Sequence, residues 1–134
     1  MAGISTHVLD TATGLPAEGV AVQLERLDDP ARPPIGRPDP TEPGGRPDPE
    51  AAGTVLRVAS TDADGRVTEL LPAGAALARG TYRLTFDTGA YFAAAGVESF
   101  YPFATIVFQV GDPTRHHHVP LLLSPFGYST YRGS

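Results

Sequence analysis

Short segments of alternating apolar and polar residues, separated by turn residues, most constrain the fold of this 134-residue chain. Residues 20–27 and 81–86 place apolar side chains at every second position, which is the period of a half-buried β-strand. Seven or eight such strands are predicted, at residues 4–9, 20–27, 55–61, 67–71, 81–86, 104–110, 116–123 and 128–131. With one short helix at 90–95 that ends at Gly96, this spacing predicts an all-β, two-sheet sandwich.

Length and composition narrow the class of protein. A chain of this length forms one domain, residues 1–134, and 41% hydrophobic residues suffice for an ordinary core. The net charge of −5 argues against a nucleic-acid partner, and the apolar runs are too short to cross a membrane. Residues 1–4 lead directly into a strand pattern with no signal-peptide character, and the chain has no cysteine. Together these features favour a cytoplasmic protein.

Residues 28–52 interrupt the strand pattern. They hold eight of the 14 prolines, one large apolar side chain (Ile35), and two copies of the pentapeptide GRPDP. Such a segment buries too little apolar surface to offset the entropy of ordering, so it is predicted to be an inserted loop between two strands. A lid over a site is the alternative role for a loop of this length.

Four histidines are present, and three are consecutive: His116, His117 and His118. Side chains alternate along a strand, so His116 and His118 share one face and His117 takes the other. His7 lies in the middle of the first predicted strand. Taken singly, each histidine fits a surface or interface position.

The closing tetrapeptide Tyr131-Arg132-Gly133-Ser134 is rich in hydrogen-bonding side chains. Terminal residues are usually frayed and chemically plain. This composition therefore predicts a tail that docks near a site, and together with Arg66 it weighs against a purely structural role for the histidines.

Four blocks of sequence lie in order along nearly the whole chain: STHVLD at 5–10 with TGLPA at 13–17, TDADGR at 61–66, TGAYF at 88–92 with ESFYP at 98–102, and HVPLLLS at 118–124 with YSTYRGS at 128–134. Together they resemble the 5-hydroxyisourate hydrolases, transthyretin-related enzymes of urate breakdown. The resemblance implies a transthyretin-like sandwich, and a homotetramer with its sites in the channel between dimers. It also implies metal-independent, cofactor-free hydrolysis of a cyclic amide, giving 2-oxo-4-hydroxy-4-carboxy-5-ureidoimidazoline from 5-hydroxyisourate.

By resemblance, the catalytic residues are His7, Arg66, His118 and Ser134, and the substrate contacts are His7, Arg66, Tyr131 and Arg132. Histidine can pass protons in both directions near neutral pH, so His7 and His118 are assigned to water activation and proton transfer in either order. Arginine offers a planar fork of donors, so Arg66 is expected to orient the substrate and stabilise developing negative charge. His116 fits the family pattern with a secondary role, and His117 has no assigned role.

Two other functions remain open from the sequence. A non-catalytic, transthyretin-like carrier of a small ligand shares the fold, but transthyretin lacks the histidine and arginine set. A zinc hydrolase is also conceivable, because His116-x-His118 with His7 has a spacing that suits a three-histidine metal site.

Overall fold

The computed structural model describes residues 2–27 and 53–134, which form nine β-strands and one α-helix. The strands are β1 (Ile4–Asp10), β2 (Leu15–Pro16), β3 (Ala21–Leu27), β4 (Gly53–Ser60), β5 (Arg66–Val67), β6 (Gly80–Phe86), β7 (Ala104–Val110), β8 (His117–Ser124) and β9 (Gly127–Thr130). The helix α1 is Thr88–Ala94. The predicted proline-rich loop at 28–52 lies outside the described residues.

The strands form two sheets, as the sequence predicts. One sheet has the order β2-β1-β8-β9, with β5 also paired to β1, and the other has the order β4-β3-β6-β7. The pairing of β1 with β8 is parallel, whereas every other strand pair of the described residues is antiparallel. Apolar side chains from both sheets form one continuous core, so the β-sandwich is confirmed.

The strand count exceeds the prediction of seven or eight, and most strand boundaries differ from the predicted ones, usually by one or two residues. Leu15 and Pro16, expected in a turn, pair with Asp10 and Leu9 as the two-residue strand β2. The strand expected at 67–71 is shortened to Arg66–Val67; beyond it the Glu69 carboxylate accepts a hydrogen bond from the Leu71 amide, and the Leu70 amide donates to the Ile4 carbonyl. The last strand ends at Thr130, so Tyr131 belongs to the tail.

The helix starts two residues earlier than predicted. Asp87 caps it by accepting a hydrogen bond from the Ala90 amide at 3.2 Å. On the next turn the Tyr91 hydroxyl donates to the buried Asp10 carboxylate at 2.8 Å, which fastens the helix to the end of β1. In the described ranges, no helix has the length and apolar character needed to cross a membrane.

Alternation along β1 and β8 separates a core face from an outer face. Ile4, Thr6 and Val8 of β1 are buried in the sandwich, together with Val119, Leu121 and Leu123 of β8. The intervening residues therefore point away from the core, and the outer face of the five-stranded sheet carries Ser5, His7 and His118.

Candidate active site

The parallel register of β1 and β8 brings the two chain-distant histidines onto one surface. Ser5 lies opposite His118, and His7 lies opposite Pro120. Both histidines are half-buried and stand two positions apart in register on the outer face. The predicted pairing of His7 with His118 in one site is therefore consistent with the sheet geometry.

A tight turn presents Arg66 beside His7. The Asp62 carboxylate accepts hydrogen bonds from the amides of Asp64 and Arg66, both at 2.9 Å. Gly65 adopts a φ of 74°, and its carbonyl accepts a hydrogen bond from the Val8 amide at 2.7 Å, which docks the turn against β1. The antiparallel pairing of β5 with β1 then sets Arg66 directly opposite His7.

The His118 ring is anchored by Ser5. The Ser5 Oγ atom lies 2.8 Å from Nδ1 of His118 and 2.7 Å from Nε2 of His116. His116 and His118 thus share one side of the strand, as alternation predicts, and their rings cover the Ser5 hydroxyl. Ser5 is only 8% exposed although it lies on the outer face of the sheet.

The closing tetrapeptide docks on the opposite edge of the same ring. The Gly133 amide donates to the His118 carbonyl at 2.9 Å, forming an isolated antiparallel bridge. A β-carbon at position 133 would lie 2.5 Å from Cδ2 of His118, so the ring occupies the space that any larger residue would need. With Nδ1 held by Ser5 and Cδ2 packed on Gly133, the Cε1–Nε2 end of the ring projects away from the sheet.

The environment keeps His118 neutral. Burial lowers the pKa of His118 below its ordinary value of 6.5, and the charges of Arg66, His7 and His116 lower it further. These contributions also place the four groups within electrostatic reach of one another. A neutral imidazole that projects into a site can accept a proton at neutral pH.

The other residues assigned by resemblance belong to the closing tetrapeptide. Tyr131 and Arg132 are exposed and line an open cleft of about 260 Å³ with His118 and part of β7. Ser134 follows Gly133 and is also exposed. In the described part of the chain, none of these three side chains makes a hydrogen bond to His7 or Arg66.

The residues do not form a three-histidine metal site. Among residues 2–27 and 53–134, no three histidine, cysteine or acidic side chains converge in a way that could hold a metal ion. His117 faces the core, is buried, and its Nδ1 lies 2.9 Å from the Arg115 carbonyl. His116 and His118 each direct one ring nitrogen at Ser5.

Sequence reasoning missed Ser5 and Gly133. Ser5 stands two positions before His7, on the same face of the same strand, and this spacing was the available signal. No periodicity relates residue 133 to residue 118, and only the fold shows that the tail crosses the histidine ring.

We expect the His118 ring to titrate below pH 6.5 in an NMR pH titration of the folded protein, because burial and neighbouring charge oppose its protonation. Arg66→Gln is expected to raise the midpoint of the His118 titration, because it removes a nearby cation. Burial of the ring should still keep that midpoint below 6.5. The unfolded chain binds this proton first as pH falls, so the free energy of unfolding should decrease as pH drops below about 6.5. A midpoint at or above 6.5 in the unsubstituted protein would contradict this assignment.

Comparisons with known proteins identify the family of this chain. The HIUase/Transthyretin family model matches residues 4–133. A 5-hydroxyisourate hydrolase 2 from Rhizobium meliloti is 42% identical over 135 residues, covering 98% of this chain and 95% of that protein. The solved structure of Klebsiella pneumoniae 5-hydroxyisourate hydrolase is 40% identical, with a TM-score of 0.72 and 98% coverage of both chains. Sea bream transthyretin in complex with thyroxine has a TM-score of 0.74 at 27% identity, covering 97% of this chain and 93% of that one. This chain belongs to the HIUase/Transthyretin family.

Proposed function

We propose that this protein hydrolyses 5-hydroxyisourate to 2-oxo-4-hydroxy-4-carboxy-5-ureidoimidazoline, as a step of urate degradation. The observation that carries the proposal is the shared outer face on which Arg66 lies opposite His7 and the neutral His118 ring projects beside them. Cyclic-amide hydrolysis needs a proton acceptor, a proton donor and a centre that stabilises negative charge. This face provides all three in residues of one chain.

In the first step a histidine takes a proton from water as the water oxygen bonds to the carbonyl carbon of the ring. The lowered pKa of His118 suits that ring to the role of acceptor at neutral pH. Negative charge develops on the carbonyl oxygen as the carbon becomes tetrahedral. Arg66 is exposed and carries a full positive charge, so its guanidinium can hydrogen-bond that oxygen.

In the second step the carbon–nitrogen bond breaks and the leaving nitrogen takes up a proton. The protonated His118 returns its proton to that nitrogen, either directly or by way of His7, which passes one proton on as it receives the other and lies on the same face. Tyr131 and Arg132 line a cleft with His118, and their side chains, with the exposed Ser134 hydroxyl in the same tail, offer hydroxyl and guanidinium donors for the polar edges of the substrate. No step in this sequence needs a metal ion or an organic cofactor.

The fold alone does not separate this enzyme from a carrier. The TM-scores to the hydrolase and to thyroxine-bound transthyretin are nearly equal, at 0.72 and 0.74. The sequence identities differ more, at 40% and 27%. The His7, Arg66 and His118 set supports hydrolysis, because a carrier has no need of groups that transfer protons.

We further propose a homotetramer whose sites lie between dimers. In the described part of the chain, the strands β7 and β9 each pair with a neighbour on one side only, and such open edges need a cover. Tyr131 is 58% exposed, and the face that carries His7 and His118 is open on its outer side. A second sheet packed over that face would close the site and exclude water.

The partner class is a small molecule, and the compartment is proposed to be the cytoplasm. The net charge of −5 disfavours nucleic acid, and the lack of cysteine suits a reducing compartment. Neither argument depends on the site residues.

We expect the purified protein to accelerate the loss of freshly generated 5-hydroxyisourate, made in situ by urate oxidation, with EDTA present throughout. His7→Ala and His118→Ala should each lower turnover by about 100-fold or more, because each removes a proton-transfer group. The measurement is the decay of 5-hydroxyisourate absorbance against the spontaneous decay in buffer.

His117→Ala provides a matched control, because it removes a neighbouring histidine that faces the core rather than the site. Its turnover should change far less than that of His118→Ala at a temperature where both variants are folded. Decay at the buffer rate, or activity restored only by added zinc, would contradict the proposed function.

Gly133→Ala should lower turnover while leaving the fold intact. The added methyl group would overlap the His118 ring, so the ring or the tail must move. We expect a loss of about 10-fold or more, since a displaced catalytic group loses much of its rate advantage. Gly111→Ala is the control, because a β-carbon at position 111 meets no atom within 4 Å. Equal turnover in the two variants would show that the tail does not position His118.

A further inference from the structure

We propose that Ser5 is a positioning residue that fixes the tautomer of His118 through a hydrogen-bonded chain to His116. The proposal rests on the proposed function for its effect on turnover, but the tautomer itself can be measured without substrate. Neither Ser5 nor His116 faces the reacting centre directly, since both lie on the Nδ1 side of the His118 ring.

The Ser5 hydroxyl can donate its hydrogen bond to either of two ring nitrogens. Its oxygen lies 2.8 Å from Nδ1 of His118 and 2.7 Å from Nε2 of His116, and it has no third partner in the described part of the chain. A hydroxyl has a single hydrogen and two lone pairs, so it donates to one ring and accepts from the other. When both rings are neutral they are thereby coupled, because the tautomer of one dictates the tautomer of the other.

In one arrangement His118 carries its proton on Nδ1 and donates to Ser5, and Ser5 donates to His116. The projecting Nε2 atom of His118 then presents a lone pair to the site. In the other arrangement His116 donates to Ser5, Ser5 donates to Nδ1 of His118, and Nε2 carries a hydrogen. The hydrogen bond at one ring nitrogen thus decides what the other nitrogen can do.

One observation and one requirement of the proposed reaction favour the arrangement with the proton on Nδ1. Arg66 is a permanent cation within electrostatic reach of the ring, and a lone pair directed into that field is more stable than an N–H group. A ring that accepts a proton from water also needs that lone pair on its projecting nitrogen. The charged or titratable groups around the ring are His7 on β1, Arg66 on β5, His116 before β8, and Arg132 in the tail.

Burial makes Ser5 suited to this role. The residue is 8% exposed, and the two histidine rings cover its hydroxyl, so water competes poorly for the same hydrogen bonds. Its backbone is fixed in the ladder between β1 and β8, directly opposite His118. An alanine at this position would keep the strand but release Nδ1 of His118.

The experiment is nitrogen-15 NMR of the histidine rings in the substrate-free protein at a pH above the titration range. The chain has four histidines, so His118 can be assigned by comparing the spectrum with that of His118→Gln. We expect His118 to be protonated on Nδ1 in the unsubstituted protein. In Ser5→Ala the proton should move mainly to Nε2, and Ser5→Thr should restore the original tautomer because it keeps the hydroxyl.

His116→Ala should shift the tautomer populations of His118 in the same direction as Ser5→Ala, because Ser5 then loses its acceptor. Ser124→Ala is the matched control, since its hydroxyl is bonded to the Gly127 carbonyl and touches no histidine. That control should leave the His118 ring signals unchanged. In the kinetic assay, Ser5→Ala should lower kcat by roughly 10-fold with little change in KM, and Ser5→Thr should recover most of it.

A His118 ring protonated on Nε2 in the unsubstituted protein would overturn the proposal, as would a tautomer that Ser5→Ala does not change. An unchanged tautomer in His116→Ala would overturn the coupling. These spectroscopic outcomes do not depend on whether the protein hydrolyses 5-hydroxyisourate. Protein that is inactive on 5-hydroxyisourate but shows the expected spectra would refute the hydrolase and retain the Ser5 assignment.

Discussion

The parallel pairing of β1 with β8 is the constraint on which the candidate site depends. It joins residues more than a hundred positions apart, so that the Ser5 hydroxyl meets a histidine 113 residues away. Side chains alternate with a period of two, and a slip of one residue would turn His118 into the core and His117 outward. The apolar side chains on the inner face prevent that slip, because it would expose Val119, Leu121 and Leu123 to solvent. The core thereby fixes the register of β1 and β8 and, with it, the outward orientation of His118.

The distribution of charge distinguishes this face from the rest of the molecule. On the four-stranded sheet, the buried Arg83 guanidinium lies 2.9 Å from the Glu25 carboxylate, and this pairing lowers the pKa of Glu25. The Asp62 carboxylate, four residues before Arg66, instead accepts hydrogen bonds from the backbone amides of Asp64 and Arg66. Among the described residues no carboxylate forms an ion pair with Arg66. Its charge therefore remains available to depress the pKa of His118 and to meet a negatively charged oxygen.

Local patterns in the sequence predicted the features that depend on local physics. The two-sheet sandwich and the shared face of His116 and His118 need only the period of a strand. The short strands β2 and β5 were not predictable in this way, because two residues are too few to show the period of a strand. The Asp28-to-Ala52 loop assignment, the oligomer and the roles of the site residues remain predictions.

The hydrogen bonds around His118 explain why sequence reasoning found the catalytic candidates but not the residues that hold them. Histidine and arginine can be recognised as catalytic candidates from their residue type, whereas serine and glycine occur throughout β-proteins without any catalytic role. Ser5 and Gly133 act through their positions. Ser5 places a hydroxyl at Nδ1 of His118, and Gly133, which has no side chain, leaves room for Cδ2 of the same ring. Each needs the sheet to bring it within contact distance of the ring. A histidine held on both edges loses little further side-chain freedom when substrate arrives, and this preorganisation is what makes a projecting nitrogen an effective proton acceptor.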